Sequence, residues 1–117
     1  MKTIPSKYQV GGTTIEVKMV ERCENNNAGC SLLTSGYIEI ADKFNKCDVQ
    51  SEDSKRNTFF HELAHTILDT MGYHELSEDE KFVSSFSGFL TESMRNAMFM
   101  EDYYENSSNP LQASQSN

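Results

Sequence analysis

The amino-acid sequence predicts a small α+β domain, and three observations carry that expectation. The N-terminal part alternates apolar and polar residues at the period of a strand, the middle switches to helical spacing, and the helical stripes follow the strands instead of separating them. Two or three strands are therefore expected to pack against two helices on one face of an antiparallel or mixed sheet. A chain of 117 residues suits a single core. Residues 1–105 are expected to form the domain and 106–117 a flexible polar tail, because "NSSNPLQASQSN" has no apolar period.

In "YQVGGTTIEVKMVE" Ile15, Val17 and Met19 alternate with Thr14, Glu16 and Lys18, which predicts a half-buried strand, and Gly11 and Gly12 supply the turn of a preceding hairpin. "ENNNAG", Glu24 to Gly29, is dense in turn formers and predicts an exposed loop. "GYIEIA" alternates again, with Ile38 and Ile40 facing one way and Tyr37 and Glu39 the other. The polar run "NKCDVQSEDSKRN" ends in a helix cap at Ser54 or a neighbour. From there Phe60, Leu63, Ala64, Ile67, Leu68 and Met71 recur at helical spacing up to Gly72, a common stop. A second stripe of Phe82, Val83, Phe86, Leu90, Met94 and Ala97 starts near Ser77 and fades around Tyr103 or Tyr104.

Charge and cysteine usage narrow the functional classes. Eighteen acidic and ten basic residues leave a formal net charge of -8, and no lysine or arginine cluster is present to track phosphates, so nucleic acid is disfavoured as a partner. The N-terminus "MKTIPSKYQV" lacks the apolar run of a secretory signal and no stretch has bilayer-spanning length, so a soluble cytoplasmic protein without membrane partners is expected. Cys23, Cys30 and Cys47 are odd in number and fit neither a disulfide framework nor a zinc knuckle. Reduced thiols are expected, with a redox-labile bridge between Cys23 and Cys30 as the rival reading.

The chemistry is concentrated in "TFFHELAHTILD". His61 and His65 are four residues apart and project from the same side of a helix one turn above each other, so both imidazoles can reach one metal ion. Glu62 points elsewhere on the circumference, beside the metal and not on it, which suits a general base for an activated water. On a helical wheel the histidines lie roughly 100 degrees from the centre of the apolar stripe, bordering the core. The competing explanation is an ordinary amphipathic helix that carries two histidines by chance.

A catalytic zinc site needs a third protein ligand, and His74, Glu75, Glu78, Asp79 and Glu80 are the candidates. Asp79 projects close to the second apolar stripe, while Ser77 followed by Glu80 could equally form a capping box. Asp69 lies about two turns from His61, too far along the axis to share the ion, and is placed to hydrogen-bond a histidine ring instead. Tyr73, His74, Tyr103 and Tyr104 are the side chains available to stabilise a developing oxyanion.

"HELAH" followed by "EKFVSSFSGFL" resembles the ImmA/IrrE-type metallopeptidases, above all the short zincins encoded by bacteriophages and mobile elements. The resemblance spans roughly Gly36 to Met94. In that family a glutamate of the downstream helix, in a pattern like E-x-x-A-x-x-F-A-x-x-L, completes the zinc site, and Glu80 with Val83, Phe86, Ser87 and Leu90 matches it, with valine and serine at the two alanine positions. The resemblance implies a minimal zincin-like, gluzincin-like fold and a Zn2+ ion held by His61, His65 and Glu80. It also implies hydrolysis of peptide bonds in a protein substrate, a regulator or repressor, with Glu62 as the base. The alternative is a catalytically silent zinc-binding module for regulation or protein interaction. Zincins bind an extended peptide along an edge strand above the motif helix, a role that Gly36 to Ile40 would fill if that strand lies at an edge and not in the interior.

Overall fold

A computed structural model of the chain describes residues 4–45, 48–98 and 100. The predicted tail, Cys47, Tyr103 and Tyr104 lie outside the described residues, as does the end of the domain expected at residue 105. The architecture is α+β: a mixed sheet with helices after it in sequence. Strand β1 (Lys7–Val10) turns through Gly11 and Gly12 into β2 (Thr13–Val20), and both glycines have positive φ, 56° and 84°. That backbone is open to glycine without a Cβ penalty, so the hairpin forms where the sequence places it.

Two further strands complete the sheet, β3 (Gly29–Leu32) and β4 (Tyr37–Ala41), in the order β1-β2-β4-β3. β4 runs parallel to β2 and antiparallel to β3, and its inward residues Ile38 and Ile40 are fully buried with Ile15 and nearly buried Phe59 in one cluster. The edge placement expected for the Gly36–Ile40 strand is thus corrected: it is interior, hydrogen-bonded on both sides, and β3 occupies the outer edge. β3 escaped the periodicity reading because its first residue belongs to a turn-forming run and its four residues, GCSL, are too short to show a pattern. A separate short hairpin, β5 (Lys43–Phe44) with β6 (Asp48–Val49), leads into the helices.

Helix α1 (Glu52–Met71) starts at Ser51, whose hydroxyl accepts from the Ser54 N–H, and stops at Gly72, whose φ is 87°. Its buried face differs from the expected stripe. Phe59, Glu62 and Thr66 are buried, whereas Ile67 and Met71 are 38% and 58% exposed. Polar side chains hold inward positions because they are satisfied there: the Tyr8 and Thr66 hydroxyls are 2.9 Å apart, and Thr66 also donates to the Leu63 carbonyl at 2.8 Å.

A short α2 (His74–Ser77) leads to α3 (Glu80–Asn96), which begins after Asp79, not near Ser77. Asp79 caps it by accepting from the Phe82 N–H at 3.1 Å, so the capping box between Ser77 and Glu80 does not form. Phe82 and Phe86 were expected inside. They stack on each other and stay 37% and 50% exposed, while Val83, Ser87 and Thr91 are buried, and Thr91 donates to Asn57 of α1 at 3.2 Å. Small residues three to four positions apart let α3 approach α1 closely, and Glu80 begins that same row.

Candidate metal centre

The site is assembled from three elements. α1 carries His61, Glu62 and His65, the first turn of α3 carries Glu80, and β3 lies alongside α1. Gly29 makes that approach possible, since a Cβ there would lie closer than 3.0 Å to the Thr58 methyl and 3.5 Å from Cγ of Glu62. Between β3, α1 and α3 opens a cleft of about 780 Å³, lined by the backbone run from Asn27 to Ser31 on one side and by His61, Glu62, His65 and Glu80 on the other.

Two ring nitrogens and the two oxygens of one carboxylate converge in it. Nε2 of His61 and Nε2 of His65 are 3.2 Å apart, Nε2 of His61 lies 3.1 Å from Oε1 of Glu80, and Nε2 of His65 lies 3.3 Å from Oε2. Ligands about 2.0–2.1 Å from a tetrahedral zinc are separated from each other by about 3.3–3.4 Å. The three distances, those from Glu80 measured to different oxygens of its carboxylate, are close to that spacing. One divalent cation between them would satisfy both ring lone pairs and the carboxylate at once. The donor set, two imidazoles and a carboxylate, suits zinc.

Of the other third-ligand candidates, Asp79 is engaged as a cap, and Glu75, Glu78 and His74 do not line the cleft. Asp69 does meet a histidine ring, but that of His74, 3.4 Å from its Nδ1, and it is the buried Ser77 hydroxyl that sits 3.0 Å from Nδ1 of His65. That contact lets Nδ1 carry the ring proton and leaves Nε2 free as a lone pair aimed at the cleft. Tyr73 and His74 line a separate shallow hollow, so neither serves as an oxyanion donor in this arrangement.

Glu62 lines the cleft but is only 7% exposed. Burial pushes its carboxyl above the usual range, opposed by a hydrogen bond from Ser31 and by the two histidines. The Cys23 thiol is pushed up to about 12, chiefly by burial, and Cys30 is raised for the same first reason, so both stay protonated at neutral pH and neither is a ready nucleophile. Ser77, Ser31 and Gly29 are the contributions that sequence reasoning missed. Ser77 was visible only as a possible cap, and Ser31 and Gly29 depend on a strand pairing distant in sequence. No family model, no curated protein and no solved structure matches the chain.

Proposed function

We propose that the chain is a zinc-dependent endopeptidase with a minimal zincin-like fold. The observation that carries this reading is the convergence of His61, His65 and Glu80 next to a buried glutamate in an open cleft. When bound there, a zinc ion supplies Lewis-acid chemistry, acidifying water and polarising a peptide carbonyl.

The chain's own residues do the rest. Glu62 takes a proton from the attacking water and returns it to the leaving amine, and burial, which raises its carboxyl, helps it hold that proton between the two transfers. Ser31 orients that carboxylate, and Ser77 keeps His65 in the tautomer that presents Nε2. A protein substrate is held in extended form along β3, the outer strand beside the cleft, through main-chain hydrogen bonds. A structural metal site has no need of a buried carboxylate between its ligands, and this favours catalysis over a silent zinc module.

The test uses elemental analysis and proteolysis of an unstructured protein by the purified full chain. His61→Ala should lose one equivalent of zinc and all cleavage. Glu62→Gln should keep the zinc and lose cleavage by about a hundredfold or more. Wild-type protein that holds the zinc but cleaves nothing would identify the silent module, and wild-type protein that binds no metal at this site would overturn both readings.

A further inference from the structure

A second group of metal-ligating side chains lies at β3 and β4. Cys30 and Glu39 face each other across the β3–β4 ladder, and Cys23 follows the end of β2. Ser31 of β3 hydrogen-bonds Glu62 while the Cys30 side chain meets Glu39, so the two clusters share no ligand although Cys30 also lines the cleft. Sγ of Cys23, Sγ of Cys30 and a carboxylate oxygen of Glu39 all lie within 4.8 Å of one another.

We propose that Cys23, Cys30 and Glu39 form a second site for a thiophilic divalent cation of the zinc class, independent of the His61/His65/Glu80 centre. The spacing supports it. Sγ of Cys30 is 3.6 Å from Oε1 of Glu39, and a tetrahedral zinc with its usual bond lengths sets sulfur and oxygen ligands about 3.6 Å apart. Sγ of Cys23 also lies 3.8 Å from the Glu39 main-chain oxygen, which places both sulfurs around the same residue.

The backbone that presents these groups is held in place. Ala41 donates to the Ala28 carbonyl at 2.9 Å, Asn26 to the Cys23 carbonyl at 3.2 Å, and Asn45 to the Asn26 carbonyl at 3.0 Å. Cys23 is only 5% exposed, so its thiolate requires a compensating cation. Binding releases the two thiol protons to solvent and leaves two thiolates and a carboxylate around a divalent ion, a net charge of about -1. A cation here ties the end of β2 to β3 and β4, and so fixes the strand that walls the cleft.

The experiment is a Co2+ titration of the reduced, metal-free full chain carrying Cys47→Ser, alone and with His61→Ala/His65→Ala. Thiolate ligands give a charge-transfer band in the near ultraviolet that imidazole and carboxylate ligands do not. The band should appear in both proteins, saturate at one equivalent in the histidine-free protein and by two equivalents in the other, whose His61/His65/Glu80 centre also takes Co2+, and vanish with Cys23→Ser/Cys30→Ser. Glu39→Gln keeps both thiols and should weaken binding about tenfold or more, which decides the matter should the double cysteine variant fail to fold. No band in the histidine-free protein, an affinity unchanged by Glu39→Gln, or thiols that form a disulfide in place of binding Co2+ would each overturn the proposal.

Discussion

Gly29→Ala tests whether the cleft is built by the close approach of β3 to α1. The added methyl would lie under 3.0 Å from Cγ2 of Thr58 and 3.0 Å from the Glu39 carbonyl oxygen. Overpacking of this kind costs about 1–3 kcal/mol. Replacing glycine lowers the entropy of the unfolded chain and returns about 0.4–1 kcal/mol, so a net loss of about 1–2 kcal/mol is expected. In a domain of this size that is a fall in Tm of about 5–10 °C.

The cause can be isolated because one neighbouring methyl accounts for the worst contact. Thr58→Ser deletes that methyl and keeps the hydroxyl that donates to Gln50, at a cost of about 0.8 kcal/mol for one buried carbon. In the double variant the new methyl occupies the space just vacated, so the combined loss should fall short of the sum of the single losses by at least about 1 kcal/mol. Thermal and urea unfolding of the four metal-free proteins, followed by circular dichroism, gives the cycle. Additive losses, or Gly29→Ala within about 0.5 kcal/mol of wild type, would refute the reasoning.

Two further outcomes are expected. Ser77→Ala should weaken zinc binding about 10–100-fold with no change in fold, and Asp69→Ala should leave it unchanged; competition with a chelating dye reads both, and equal effects would refute the assignment of Ser77 as the residue that orients His65. Lys55, 2.8 Å from Asp42, has its ammonium raised chiefly by that hydrogen bond, so its stabilisation is fully present below the usual lysine value of 10.5 and is lost as pH rises through the higher folded value. Lys55→Met should therefore lower stability by about 1 kcal/mol at neutral pH, with the difference from wild type shrinking only in strong alkali; a difference that already disappears near pH 8 would contradict the pairing.

The parts of the structure that could be read from the sequence are those that depend on local geometry. The Gly11–Gly12 hairpin, the alternation of Ile38 and Ile40, the span of α1 to Gly72 and the shared face of His61 and His65 all follow from residues within a few positions of one another. β3 was missed because a four-residue strand is defined by its partner, not by its own pattern. The apolar stripes are right only in part, with Phe60, Leu63, Ala64 and Val83 turned inward and Ile67, Met71, Phe82 and Phe86 left out, for a related reason. α1 lies against both the sheet and α3, so its buried arc takes in Glu62 and Thr66, and α3 meets α1 through Ser87 and Thr91, leaving Phe82 and Phe86 outside.

The same division runs through the candidate site. Two imidazoles and a neighbouring carboxylate are set by the 3.6-residue turn, so any helix written H-E-x-x-H presents them together. Tertiary structure alone decided that Asp79 would cap α3 and release Glu80, that Ser77 and not Asp69 would hold His65, and that the outer strand beside the cleft would be β3. A helix constrains side chains one turn apart through its own backbone. Contacts between elements depend on how far one surface can close on another, and here the space above Gly29 and along Ser87 sets that distance.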